Sequence, residues 1–220
     1  MINKQPGWLN PYLKPENLKQ IEEAVLLAEL STSGEVVPMV VRKSSTVGHV
    51  PLLLLALFSL LFFAFDLDHF QMLWIPLPHW LLITFDICVL LALVRILAPI
   101  PFVERLLTPR GDQKEQVEQR ALNEFYNIRV HHTEKSTGIL IFVSLMEHRA
   151  VILGDQAISE KLSPETWNNL LKELVDSIKS RQLTDGFSKA IISCGELLSE
   201  HFPKPENDKN QLQNQLVIKE

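Results

Sequence analysis

Two long apolar runs, Val50–Phe65 and Trp80–Ala98, sit inside a chain whose flanks have the mixed composition of water-exposed protein. The first reads VPLLLLALFSLLFFAF, with Ser59 as its single polar residue. Extended back through Val47-Gly48-His49, it approaches the roughly 20 residues a helix needs to cross hydrocarbon. The second reads WLLITFDICVLLALVRILA, and apolar character continues past Pro99 and Pro101 to Val103. A helix on the surface of a globular core keeps one polar face, and these runs have none. The spacing predicts a two-helix transmembrane hairpin over 47–103, with spans at about 47–66 and 80–98.

Charge sets the expected orientation. Arg42 and Lys43 precede the first span, and Arg105, Arg110 and Lys114 follow the second. The connecting stretch DLDHFQMLWIPLPH carries Asp66 and Asp68 and no Lys or Arg. The positive-inside bias then puts both flanks and both termini in the cytoplasm, the hairpin in the inner (plasma) membrane and the loop outside. Trp74, His79 and Trp80 suit the outer interface. Asp86 and Arg95 are nine residues apart, about 13.5 Å along an ideal helix, so they do not pair directly. Arg95 is expected to snorkel to the cytoplasmic face, and Asp86 to reach an interface or a helix contact. A proton or ion path through two helices is the rival reading of this pair.

The whole chain's formal charge of −5 and the absence of a basic patch argue against a nucleic-acid partner. Cys88 and Cys194 form neither a disulfide framework nor a CxxC site. The first twenty residues lack a continuous apolar core, so no cleaved signal peptide is expected. Pro15–Ser31 is predicted as a helix, with Leu18, Ile21, Val25 and Ala28 on one face and Glu22, Glu23 and Glu29 facing water. Glu35–Lys43 is predicted as a strand buried on both faces. Pro38 removes a ladder donor there, which suggests an edge or a bulge.

Asp112–Ile128 is predicted as a helix, and Gly138–Leu145 and Ala150–Leu153 as an antiparallel strand pair around the polar turn Glu147-His148-Arg149. Ser163-Pro164-Glu165 marks a helix start, with a capping hydroxyl and proline in the first turn. A stripe from Trp167 to Ile178 is its buried face. A last helix runs over Thr184–Phe202. The tail at 204–220 is polar and expected to fray. One strand before the hairpin and two after it make a sheet only if they meet. Residues 15–45 and 112–203 are therefore expected to close one cytoplasmic α/β domain: a small mixed sheet with helices on both faces, interrupted by the hairpin. Residues 1–14 form a separate N-terminal segment.

The stretches AELSTSGEVVPMVV (28–41), STGILIFVSLMEHRAVILGDQAIS (136–159) and DGFSKAIISCGELLSEHFP (185–203) resemble the TPM domain family, in a branch with two inserted spans. The resemblance implies an α/β sandwich with a central sheet. Activities implied by the family are uneven: a thylakoid relative is described as an acid phosphatase, and some members bind divalent cations. The resulting expectation is a membrane-anchored interaction or assembly module with membrane-protein partners. The alternative is a divalent-cation-dependent phosphatase.

Candidate chemistry concentrates at strand ends. Asp155 follows the third strand and Glu35 opens the first, and strand-end acids often line a crevice. Both are candidate oxygen ligands for Ca²⁺ or Mg²⁺. The competing reading makes Asp155 a cap for the following helix and ties Glu35 to the Ser31–Gly34 turn. The stretch SSTVGH at 44–49 offers no further carboxylate. At Glu147-His148-Arg149, His148 beside Glu147 suits acid–base work and Arg149 suits phosphate, against a plain solvated turn. His131-His132 is a weak metal candidate. No GxSxG, GxxxxGK[ST], HExxH or Cys cluster is present.

Overall fold

The computed structural model describes residues 5–46, 48–64, 79–133, 135–205 and 212–220. The chain divides into two compact units, Met1–Ser44 with Lys114–Glu220, and Ser45–Gln113. The first is the α/β unit, and it is assembled from both ends of the chain.

Its sheet has four strands in the order β3-β2-β1-β4: β1 (Glu35–Val41), β2 (Gly138–Ser144), β3 (Arg149–Gly154) and β4 (Val217–Lys219). β1 runs parallel to β2 with Glu35 opposite Gly138, and parallel to β4 with Met39 opposite Val217. β2 and β3 are antiparallel. Every residue of β1 and β2 is buried, which explains their near-continuous runs of branched apolar side chains.

Alternation along these strands feeds two cores. Val36, Val40, Ile139, Ile141 and Val143 pack with α1 (Leu18–Ala28), with α7 (Asn168–Lys179) through Leu174 and Ile178, and with α8 (Leu183–His201) through Phe187, Ile191 and Leu198. Val37, Met39, Val41, Leu140 and Phe142 pack on the other face against Val117, Ala121 and Phe125 of α5 (Arg110–Asn127). A fully buried aliphatic side chain contributes about 1.5–3 kcal/mol, so both faces need their cover.

Three local outcomes differ from the sequence expectation. The tail does not simply fray: β4 adds to β1, Lys219 pairs with Glu124 at 2.5 Å, and Arg120 donates to the carbonyls of Lys43 and Glu220. Three strand residues are too few to register as a pattern. Ser163 makes no capping bond, because the first turn there, Pro164–Trp167, is a 3₁₀ helix. A short helix, α6 (Gln156–Lys161), follows β3.

Pro38 sits in a central strand without a bulge. Alternate residues of a strand direct their N–H groups to the same side, and on the side away from β2 the N–H of Val36 is taken by the Glu29 carboxylate at 3.0 Å. Arg42 donates to the Lys219 carbonyl on that side. The β4 ladder begins only at Met39, so Pro38 falls where no neighbouring strand needs its missing donor.

The second unit holds α2 (Val50–Ala64), α3 (His79–Leu97) and α4 (Pro101–Leu107). α2 packs against α3 and α4. Among the described residues no single helix is long and apolar enough to cross a membrane; Ile83–Leu97 and Pro101–Leu107 pass together, bent by 96°. The expected loop with Asp66, Asp68 and Trp74 lies outside the described residues.

Gly138 opens β2 directly under Val130. A Cβ there would lie 2.3 Å from the Val130 carbonyl oxygen, whereas at Gly111 nothing lies within 4 Å. Gly138→Ala should therefore lower stability by about 1–3 kcal/mol, and Gly111→Ala, on an exposed helical turn, should leave it unchanged or slightly raised. Thermal unfolding of the two variants followed by circular dichroism checks the contrast.

Candidate functional site

One group of polar residues of the α/β unit lies at the end of the sheet where β1 and β2 begin and β3 finishes. The turn before β1 is welded to the end of α8. Thr32 Oγ1 donates to the Phe202 carbonyl at 2.7 Å, and the Ser33 N–H reaches the same oxygen at 3.0 Å. The Gly34 N–H donates to Thr32 Oγ1 at 3.0 Å, and Thr137 Oγ1 donates to the Ser33 carbonyl at 3.0 Å. A Cβ at Gly34 would lie 2.7 Å from Leu198 Cδ1, so any larger residue there must shift that side chain. These contacts deliver Glu35 to the first position of β1.

Glu35 is 3 % exposed, and its Oε2 accepts the N–H of Leu212 at 3.2 Å. Asp155 follows β3 at the same end, because Ile139 pairs with Gly154 and Glu35 with Gly138. The two residues thus flank β2, in strands separated by about 9–10 Å, twice the strand spacing. Asp155 caps α6 through Oδ1, which accepts from the Gln156 N–H at 2.7 Å, while its Oδ2 is enclosed without a hydrogen-bond partner. Among the described residues, no three His, Cys, Asp or Glu side chains come together to hold a metal ion.

Glu29 is the residue that sequence reasoning missed. The helical pattern placed it in water, but α1 ends at Ala28 and the chain turns, so Glu29 is 8 % exposed. Its Oε1 accepts from Val36 and its Oε2 from Asn214 Nδ2 at 2.9 Å, and its carbonyl accepts from Lys204 Nζ at 2.7 Å. Burial, with a further push from the nearby Glu35 charge, raises its pKa from 4.5 to about 7, against hydrogen bonds from Val36 and Asn214 and the charge of Lys204. No sequence signal marks it, because the pairing with the C-terminal segment is 185 residues away.

The expected polar tip is half internal. Glu147 is buried, accepting the Ser44 N–H at 2.9 Å and the Ser144 hydroxyl at 2.5 Å, while Ser44 and Ser144 share a 2.8 Å hydrogen bond. It fixes the point where the chain leaves β1. His148 takes the left-handed conformation, φ 51°, that closes the turn. Arg149 lines a groove of about 580 Å³ along the open edge of β3, together with Lys114, Glu118 and Trp167. His131 and His132 stack on each other with ring centroids 4.4 Å apart, and His131 meets Tyr126 edge-on at 5.0 Å.

Residues 102–197 match the family model for the TPM domain. The matched stretch runs from α4 into α8 and does not include α1 and β1. The NMR structure of the BA42 protein from the psychrophilic bacterium Bizionia argentinensis is similar over 94 % of this chain and 95 % of that one, with TM-score 0.58 and 19 % identity. That likeness is one of fold. No curated protein matches.

The state of Glu29 has a pH signature. The folded chain holds this proton more tightly than the unfolded chain, so stability falls as pH rises from about 4.5 to about 7 and then levels. Glu29→Gln should remove that fall. The variant should match the wild type near pH 4.5 and exceed it by about 1–3 kcal/mol at pH 8. Melting temperatures across that range read the difference directly.

Proposed function

We propose that this chain is a membrane-anchored TPM-domain protein whose α/β unit acts as an interaction or assembly module on the cytoplasmic face. One observation carries the anchoring: α2 and α3 leave large apolar side chains exposed, with Leu52 and Leu60 68 % exposed on α2 and Trp80 65 %, Phe85 61 % and Ile96 65 % on α3. Surfaces of that kind are stable in hydrocarbon. The α/β unit closes both of its cores from its own residues, so the inserted helices are free to serve the bilayer. Membrane proteins are the partner class this placement favours.

Polar residues within the hairpin suit the same reading. Thr84 returns its hydroxyl to the carbonyls of Trp80 and Leu81, so it adds no unsatisfied donor to an apolar helix. Arg95 lies in the last turn of α3, where a long cationic side chain reaches the interface.

A second reading, a divalent-cation-dependent phosphatase, is favoured by the enclosed Asp155 Oδ2 at the sheet end it shares with Glu35. Two carboxylates leave most of the six to eight oxygen positions of Ca²⁺ to other groups, which is why the module reading is preferred.

A periplasmic-active reporter inserted in the 66–78 stretch should be active, and the same reporter at the C-terminus inactive. The reverse pattern would overturn the orientation. The detergent-solubilised protein should show no hydrolysis of a generic phosphoester with Mg²⁺ or Ca²⁺. Turnover that Asp155→Asn abolishes would establish the second reading instead.

A further inference from the structure

We propose that α4 is an interfacial helix, lying in the headgroup region of the cytoplasmic leaflet and holding acidic phospholipid at the foot of α3. The inference rests on the membrane-hairpin reading and adds a lipid-binding surface to it.

Geometry points there first. α3 ends at Leu97, and Pro99 and Pro101 bracket the turn into α4. The N–H groups they lack are ones that a helix cannot use at a break or at a first turn. The axes of Ile83–Leu97 and Pro101–Leu107 meet at 96°. A helix perpendicular to a span runs along the membrane plane. The seven residues of α4 reach about 10 Å, a third of the roughly 30 Å hydrocarbon thickness, so α4 does not complete a crossing.

The faces of α4 are sorted as an interface requires. Phe102 and Leu106, one turn apart, are 61 % and 69 % exposed, and Ile100 beside them is also exposed. Glu104 and Thr108 are buried, and α4 packs against α2. The polar ends are closed from within. Thr108 Oγ1 donates to the Glu104 carbonyl at 2.8 Å, and Gln113 Nε2 donates to the carbonyls of Arg105 at 2.8 Å and Thr108 at 2.7 Å. A helix end satisfied in this way can sit against acyl chains without exposing bare carbonyls.

Charge selects the occupant. Arg95 in the last turn of α3, Arg105 in α4 and Arg110 at the start of α5 bracket the apolar pair. Asp112, Glu115 and Glu118 are the exposed acidic residues of the first half of α5, with Lys114 among them. An apolar face with arginines close to it along the chain suits the acyl boundary below and the phosphates of anionic lipid above.

The test uses the full chain with Cys88→Ser, since burial pushes the Cys194 thiol up to about 12 and leaves it unreactive. Leu91→Cys, Phe102→Cys and Leu106→Cys are each spin-labelled in phosphatidylcholine–phosphatidylglycerol bilayers. Depth is read from the ratio of oxygen to nickel-chelate collisions. Leu91 should report the hydrocarbon interior, and Phe102 and Leu106 a depth of about 5–10 Å at the headgroup–acyl boundary. In pure phosphatidylcholine both α4 labels should shift toward water. Leu91 deep with both α4 labels in water overturns the inference and leaves the hairpin standing. Both α4 labels in the interior mean a re-entrant or broken span, and also overturn it. Depths that ignore phosphatidylglycerol remove the acidic-lipid claim. Leu91 in water overturns the hairpin reading itself.

Discussion

The parallel pairing of β1 with β2 is the interaction on which the rest depends. It joins Glu35–Val41 to Gly138–Ser144 across about a hundred residues of intervening chain. β1 is the central strand, with β2 on one side and β4 on the other. Without it, α1 loses its floor, β4 loses the strand it pairs with, and both cores lose the β1 side chains that pack beside β2. Parallel strands cannot be joined by a tight turn and need a crossover of a dozen or more residues, so a long excursion between them is built into the topology.

Glu29 and the C-terminal segment complete that strand where the ladder stops. The carboxylate takes the Val36 N–H that a longer β4 would otherwise take, Pro38 needs no partner, and β4 begins at the next residue. A buried carboxylate whose pKa stands near neutrality is a costly substitute for a main-chain carbonyl. It is retained at the one place where Asn214, Lys204 and the Glu35 charge also converge. Glu35 in turn receives Leu212. The two carboxylates therefore bind the chain's own C-terminal segment, which is the clearest role that this geometry gives them.

The sequence made the middle of the fold legible. Val-rich β1, β2 with its GILIFVS run, and the Leu174–Ile178 and Phe187–Leu198 faces all carry strong periodicity, because each is buried on one or both sides by neighbours of its own kind. Asp155 was legible as a capping residue and is one. What escaped is long-range and polar. β4 is three residues held by partners far away in sequence. Glu29 lies one residue past the last helical position, so a helical wheel assigns it the wrong surroundings. Glu147 sits in a turn motif that predicts exposure, yet two serines a hundred residues apart converge on it. No local pattern encodes any of these, since each depends on which segments the sheet brings together.

The position of the apolar insertion follows from the same topology. The crossover from β1 to β2 must leave the sheet, cover a face and return. α5 performs the covering through Val117, Ala121 and Phe125, so the segment between β1 and α5 has no packing duty of its own in the two cores. Each doubling of a flexible loop costs only about 0.6 kcal/mol in closure entropy, and a helical hairpin brings its ends back to one side, reducing even that. Glu147 holds the chain at the end of β1 by accepting from Ser44 and Ser144. Two other connections at the sheet leave no room for such an insertion: Glu147 and His148 fill the β2–β3 turn, and β3 passes through Asp155 directly into α6. An apolar pair of helices can enter this fold at the β1–β2 crossover without disturbing either core, and that is where the chain carries it.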